Sequence, residues 1–201
     1  DADDSPGLSE GLGVDRGASR QTTSVYTRVV GPTPPWGDVA YAGKRLIMQT
    51  TMAGEMNTLG WHLARLAARN RRSRDFTLPA MVRAVREVIA CLPVYRTYVG
   101  DQGPEPSAQD RNVVQRAVAE AKRRNTVVSA SVFDFLADVL LLRQPDGLPD
   151  ADREAWRQFV GQFQQASGPV TAKGVEDTAF YGYLRLASLN EVGGDPGRFG
   201  E

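Results

Sequence analysis

Residues 46–68, LIMQTTMAGEMNTLGWHLARLAA, contain the clearest structural pattern in the chain. Their apolar side chains recur at alternating steps of four and three residues: Met52, Met56, Leu59, Leu63 and Leu66. That spacing places them on one face of an α-helix. Gly54 and Gly60 lie inside the segment, and each weakens a helix by about 1 kcal/mol relative to alanine. The pattern therefore predicts a helix whose stability comes from a buried apolar face.

Similar periodic segments follow, and each begins at a residue that favours a helix start: Thr77, Ser107, Ser131 and Pro149. Asp110 and Asp134 follow the two serines by three residues, which resembles a capping box with a shorter acid. The last of these helices directs four large side chains inward: Trp156, Phe159, Val160 and Phe163. Only residues 39–43 (VAYAG) and 95–99 (YRTYV) resemble strands. We therefore predict a mainly α-helical fold of about six helices.

Composition limits the classes of partner. The 201 residues are 41% hydrophobic, which is enough for a substantial core, and the 24 basic and 24 acidic residues cancel. A neutral chain has no overall field that attracts nucleic acid or a membrane surface. No run of about 18 apolar residues and no signal peptide is present, so we predict a cytoplasmic protein that binds neither.

The lone cysteine and the lone histidine exclude several kinds of site. Cys91, in the apolar sequence VIACLPV, predicts a buried structural thiol and no internal disulfide. One cysteine and His62 are too few ligands for a structural zinc site. His62 lies on a regular helical pattern, which favours a solvated or capping role. The chain also has no phosphate-binding loop, so we predict neither a metal nor a cofactor.

The segment 171–196, TAKGVEDTAFYGYLRLASLNEVGGDP, does not fit a purely structural role. Gly168 and Pro169 predict a break, after which Glu176 and Asp177 would lie in the first turn of a new helix and favour its dipole. Lys173 gains nothing from that dipole. A cation, two carboxylates and an aromatic ring can instead bind a polyol, because sugar hydroxyls both donate and accept hydrogen bonds. Both interpretations are open on the residues alone.

Several motifs, in this order, resemble the maltooligosyl trehalose synthase family: KRLIMQT, SRDFTL, REVIACLPVYRTYV, SVFDFL, GPVTAKGVEDTAFYGYLRLASLNEVGGDP and FG. The resemblance extends from about Tyr41 to Glu201. It implies the α-amylase superfamily and a helical insertion belonging to a larger (β/α)8-barrel enzyme. The implied reaction is an isomerisation in trehalose biosynthesis, an intramolecular transglycosylation that remakes the reducing-end α-1,4 bond of a malto-oligosaccharide as an α,α-1,1 bond.

The resemblance also implies what this chain contains and what it does not. The catalytic carboxylates of the family fall on motifs that do not occur here, so we assign no catalytic residue and expect the 201-residue chain to be inactive alone. The matching motif implies these substrate-binding candidates: Lys173, Glu176, Asp177, Phe180 and Tyr181, supported by Asn190 and Glu191. Gly182 stands where the family usually has arginine.

The expected organisation has three parts. Residues 1–38 form a flexible Gly/Pro-rich arm without a match, residues 39–168 a helical subdomain, and residues 169–201 a segment that returns to the barrel and lines the pocket. The implied partners are a malto-oligosaccharide and the rest of the enzyme. Two alternatives remain: a helical protein-interaction module without glucan binding, and nucleic-acid binding through residues 69–75 (RNRRSRD).

Overall fold

The computed structural model describes residues 19–100, 103, 105–145, 147–184, 190, 192 and 194–198, and within these residues it contains helices and no strand. The α-helices are α1 (Ser19–Val30), α2 (Trp36–Gln49), α3 (Ala53–Ala68), α4 (Leu78–Cys91), α5 (Ala108–Arg124), α6 (Ala130–Leu140) and α7 (Asp150–Thr171). α7 continues into a π-helix (Ala172–Ala179) and a short helix α8 (Phe180–Gly182), and a 3-10 turn spans Pro196–Arg198. The prediction of a mainly α-helical fold is confirmed.

Helix α4 is the centre of the bundle, because it packs against α2, α3, α5, α6 and α7. The stripe predicted over residues 46–68 is buried in this core, as are the four inward residues predicted on α7. The segment is not one helix, however, because α2 ends at Gln49 and α3 begins at Ala53, just after Met52. Gly60 has a packing role: a Cβ atom there would lie 2.3 Å from Val82 Cγ2 and 2.8 Å from Val82 Cα. The glycine therefore lets α3 and α4 approach closely, which offsets its weak helix propensity.

Two of the predicted helix caps are confirmed and one is wrong. The Thr77 hydroxyl accepts a hydrogen bond from the Ala80 N–H, and Ser107 accepts one from the Asp110 N–H at 3.0 Å. Ser131 does not cap α6, because the helix already begins at Ala130. Its hydroxyl bonds that of Ser129 instead.

Neither strand candidate forms a strand. Residues 39–43 lie within α2. Residues 95–99 run as an irregular segment beside α7, where the side chain of Gln164 replaces a neighbouring strand. Its Oε1 accepts from the Val99 N–H at 2.7 Å and from the Thr97 hydroxyl at 3.1 Å, and its Nε2 donates to the Val99 carbonyl at 3.3 Å. The buried Gln164 amide thus satisfies the Val99 backbone groups, which have no neighbouring strand to pair with.

The predicted break at Gly168 and Pro169 is wrong. Helix α7 runs through both residues and ends only at Thr171, where the π-helix takes over. Proline removes one backbone hydrogen bond from a helix interior. The neighbouring Ser167 and Val170 are fully buried, so tertiary packing maintains the helix across that defect.

Helix α1 lies within the segment that the sequence marked as an irregular arm. Its valines at 25, 29 and 30 are exposed, and its Tyr26 hydroxyl accepts a hydrogen bond from the Leu184 N–H at 3.3 Å. Residues 1–18 of the arm lie outside the described residues. The three-part division of the chain stays a prediction, although one helix crosses its boundary at residue 168. None of the described helices has the length and apolarity of a membrane span.

Candidate functional site

The π-helix presents the charged residues of the segment 171–196 on its solvent side. Hydrogen bonds in a π-helix join residues five positions apart, so residues four or five apart lie on about the same side. Lys173, Asp177 and Tyr181 recur at four-residue steps and are all exposed, with Tyr181 at 79%. Neither Lys173 nor Asp177 forms an ion pair within the described part of the chain. A cation, a carboxylate and a phenol ring therefore share one accessible face.

The inner side of the π-helix lies in backbone contact with α2. A Cβ atom on Gly43 would fall 2.2 Å from the Gly174 carbonyl oxygen, and one on Gly174 would fall 2.6 Å from Lys44 Cα. Only glycine fits at either position without moving a helix, because both obstructions are backbone atoms. The two glycines thus fix how the charged face is set against the bundle.

The aromatic residues of the segment divide between surface and interior. Phe180 is buried and stacks on Trp36, with ring centroids 5.4 Å apart and an interplanar angle of 17°. Tyr183 is also buried and meets the same indole at 5.3 Å. Phe180 therefore holds the end of the π-helix in place, and Tyr181 is the ring that remains available to a ligand.

Two further candidates have hydrogen-bonding roles. Glu176 is half-buried and its Oε1 accepts a hydrogen bond from the Tyr95 hydroxyl. The Asn190 amide donates to the carbonyl oxygens of Phe180, at 2.9 Å, and of Tyr183, at 2.5 Å. Asn190 thereby satisfies carbonyls at the end of the helical segment. Glu191 lies outside the described residues.

The helix-dipole explanation for Glu176 and Asp177 is wrong, because no helix begins near them. They lie inside a continuous helical segment that extends from Asp150 to Gly182, far from its N-terminus. A dipole acts on charges within the first or last turn of a helix. The carboxylates therefore gain no stability from a helix N-terminus, which removes the main structural explanation for their presence.

Behind the π-helix lies a cavity of about 400 Å³, and its lining includes Lys44, Cys91 and Glu120. Burial lowers the pKa of Lys44 to about 8, and its ammonium donates to the Leu92 carbonyl at 2.7 Å. Cys91 is partly buried, less so than the sequence predicted. That burial raises the pKa of its thiol to about 12, which keeps the thiol protonated and is consistent with a structural role. Hydrogen bonds from Arg123 and Arg124 lower the pKa of Glu120 to about 2.

The other residues considered in the sequence lie elsewhere. His62 Nδ1 is 2.6 Å from Gln162 Oε1, a contact between α3 and α7 that is neither a helix cap nor part of a cluster. The basic stretch 69–75 forms the predicted loop between α3 and α4, and its Arg69 pairs with Asp152. Among the described residues, no group of three or more His, Cys, Asp or Glu side chains is arranged to hold a metal ion.

Comparison with known proteins connects this geometry to one enzyme. Two solved structures of maltooligosyltrehalose synthase from Arthrobacter ramosus, one of them a mutant, match 92% of the chain with a TM-score of 0.66 and with 29% and 28% identity. Two Mycobacterium tuberculosis proteins named maltooligosyl trehalose synthase, from strains CDC 1551 / Oshkosh and ATCC 25618 / H37Rv, are 62% identical over 39 residues. This chain is similar to an internal piece of maltooligosyl trehalose synthase.

The matches cover only a small part of each synthase. The Arthrobacter matches cover 20% of each synthase chain. The Mycobacterium matches cover 5% of each of those proteins and 19% of this chain. No protein-family model matches the chain. The synthase likeness therefore rests on the shared fold of this helical piece and on one closely similar stretch.

The sequence did not point to three residues that shape the site. Trp36 falls within the arm predicted over residues 1–38, Tyr95 within a strand candidate, and Lys44 was not singled out. A lone lysine within the apolar sequence of α2 is a usable sign, because a buried ammonium requires an acceptor. The stacking of Trp36 and the bond from Tyr95 to Glu176 join distant parts of the chain, and no local pattern indicates them.

Proposed function

We propose that this chain is the part of a maltooligosyl trehalose synthase that binds the reducing-end glucose of a malto-oligosaccharide. The whole enzyme would remake the terminal α-1,4 bond as an α,α-1,1 bond by intramolecular transglycosylation. The observation that carries the proposal is the exposed face of Lys173, Asp177 and Tyr181, held on the π-helix and the adjoining α8 in a fold similar to that enzyme. The likeness supports the proposed substrate class, and the exposed face supports the choice of binding groups.

Each group on the face has a hydrogen-bonding or packing role suited to a sugar. The Lys173 ammonium has three N–H donors for hydroxyl oxygens, and the Asp177 carboxylate accepts from hydroxyl hydrogens. The Tyr181 ring can cover the apolar C–H face of a pyranose. The Glu176 carboxylate, already bonded to Tyr95 through one oxygen, retains the other for a sugar hydroxyl.

The catalytic carboxylates would come from the remaining part of the enzyme. One would attack the anomeric carbon as a nucleophile, and a second would protonate the leaving oxygen. The glucose released in that step must then turn over and attack the glycosyl-enzyme before water does. The residues of this chain would hold that glucose. Their loss should therefore change the partitioning of the glycosyl-enzyme between glucose and water more than its rate of formation.

The test is Lys173→Met in the complete enzyme, with free glucose per trehalose-ended product as the measured quantity. A loosely held glucose escapes and leaves the intermediate to water, so we expect the ratio to rise several-fold. Lys122→Met is the matched control, because Lys122 pairs with Asp134 on the α5–α6 surface, away from the face. Its ratio should equal that of the parent enzyme.

The opposite result is informative for the two alternatives. If Lys173→Met leaves the ratio at the parent value while thermal stability falls, the segment is a packing element and the sugar-binding proposal is wrong. Two titrations of the chain, one with maltotetraose and one with a DNA or RNA oligonucleotide, each at low and high salt, separate sugar binding from nucleic-acid binding. A nucleic-acid site would show an affinity for DNA or RNA that falls steeply with salt, whereas sugar binding through neutral hydroxyls would change little.

A further inference from the structure

Residues 92–99, which we call the strap, connect α4 to the loop before α5 and are held at both ends by buried polar side chains. At the first end, Lys44 Nζ donates to the Leu92 carbonyl at 2.7 Å. At the far end, Gln164 Oε1 accepts from the Val99 N–H at 2.7 Å. Lys44 and Gln164 are each only 5% exposed. Removing either side chain would leave buried backbone groups without a hydrogen-bond partner, so these two bonds fix the path of the strap.

Between these two anchors the strap directs Tyr95 at the π-helix. The Tyr95 hydroxyl donates to Glu176 Oε1, a contact between residues 81 positions apart in the chain. Glu176 forms no further hydrogen bond or ion pair within the described part of the chain. One carboxylate oxygen is therefore occupied by the phenol, and Oε2 keeps its full capacity to accept.

We propose that Tyr95 is a positioning residue, which holds the Glu176 carboxylate so that Oε2 accepts a hydrogen bond from a hydroxyl of the bound glucose. This inference rests on the proposed function. A free glutamate samples several rotamers, and a ligand that uses it must first select one of them. The phenol removes that requirement before the sugar arrives. A phenylalanine would fill the same space but could not orient the carboxylate.

The strap holds the Tyr95–Glu176 hydrogen bond rigidly, unlike a contact between two mobile surface side chains. Tyr95 is three residues from Leu92 and four from Val99, so it cannot move far without breaking an anchor. Glu176 lies on a helix that the Gly43 and Gly174 contact fixes against α2. Donor and acceptor are thus both held by the fold, as an oriented ligand-binding carboxylate requires.

The experiment compares Tyr95→Phe, Glu176→Gln and the double variant in the complete enzyme, measuring free glucose per trehalose-ended product and the melting temperature. A net hydrogen bond of about 1 kcal/mol corresponds to about fivefold, so we expect Tyr95→Phe to raise the ratio by about that factor. Glu176→Gln should raise it at least as much. The double variant should not exceed Glu176→Gln, because the phenol has nothing left to position.

Two further variants separate positioning from general disturbance. Tyr98→Phe, on the same strap, is the matched control, since Tyr98 is half-exposed and contacts Arg96. It should leave the ratio unchanged. Gln164→Met frees the far anchor without altering Tyr95 or Glu176, and it should raise the ratio in the same direction as Tyr95→Phe.

Each contrary outcome has a distinct meaning. A raised ratio in Glu176→Gln with no change in Tyr95→Phe overturns the positioning role and leaves the proposed function standing. Independent effects that multiply in the double variant also overturn it. An unchanged ratio in Glu176→Gln and Lys173→Met overturns the proposed function itself, and the positioning role with it.

Discussion

Gly43→Ala tests the crossing of α2 and the π-helix most directly. The added methyl would lie 2.2 Å from the Gly174 carbonyl oxygen and 3.2 Å from the carbonyl carbon. Both obstructing atoms belong to a helix backbone, so no side-chain rotation can relieve the overlap. The two helices must separate, and the buried contacts beside them, including those of Ala179, must loosen.

The size of the effect follows from two opposing terms. Overpacking of a well-filled interior costs about 1 to 3 kcal/mol, and a backbone obstruction belongs at the upper end of that range. Replacing glycine by alanine inside a helix returns about 1 kcal/mol. We therefore expect a net loss of about 2 kcal/mol in the free energy of unfolding. At about 2 to 4 °C per kcal/mol for a chain of this size, the melting temperature should fall by about 4 to 8 °C.

Thermal unfolding followed by far-ultraviolet circular dichroism measures this, with Gly161→Ala as the matched control. Gly161 lies inside α7 with no atom within 4 Å of an added Cβ, so that variant should melt about 2 to 4 °C higher than the parent. Gly174→Ala should behave like Gly43→Ala, and the double variant should lose less than the sum, because helices already separated accommodate the second methyl. If Gly43→Ala raised the melting temperature as Gly161→Ala does, the two helices would not be in backbone contact.

Three further predictions follow from other contacts. Lys44 has a folded-state pKa of about 8 against an ordinary 10.5, so the unfolded chain binds its proton more tightly between those values. The stability of the parent relative to Lys44→Met should therefore increase as pH rises from about 8 to 10, by about 2 kcal/mol, in paired urea denaturations; a flat difference would contradict the buried ammonium. Ser107→Ala should lose about 1 kcal/mol in the same assay through its helix cap, while Ser131→Ala, which caps nothing, should stay within about 0.5 kcal/mol. The isolated chain should not convert malto-oligosaccharides, and trehalose-ended product above that of a heat-killed sample would disprove this.

Local patterns predicted the helices well because most of them bury an apolar stripe. The steps of four and three residues in α3 and the cap at Ser107 are local features, and both appear in the structure where the sequence placed them. Residues 39–43 were mistaken for a strand because the alternation in VAYAG also fits the helix that buries Gly43. Whether such a short segment forms a helix or a strand depends on side chains from other elements that pack against it.

The break predicted at Gly168 and Pro169 illustrates a different limit. The break was predicted from the low helix propensity of glycine and proline alone. The packing that maintains the helix comes from the rest of the bundle, which the local sequence does not show. The wrong break then gave Glu176 and Asp177 a helix start that does not exist. The candidate residues could still be proposed, because a mixed cluster of charges beside aromatic residues is visible in the sequence regardless of the backbone conformation. Their division into an exposed face, a stacked ring and a bonded carboxylate requires the tertiary structure.

Helix α7 and the π-helix form one uninterrupted rod from Asp150 to Ala179. The 22 residues of the α-helical part alone extend about 33 Å, and its three large aromatic side chains, Trp156, Phe159 and Phe163, are locked in the core. A hinged lid needs a few residues that absorb a change in backbone angles, and this rod has its free end pinned against α2 as well. The charged face is consequently fixed relative to the bundle and has no hinge of its own. Under the proposed function, entry of the substrate and release of the product would therefore depend on movement of other parts of the enzyme, those that face this surface.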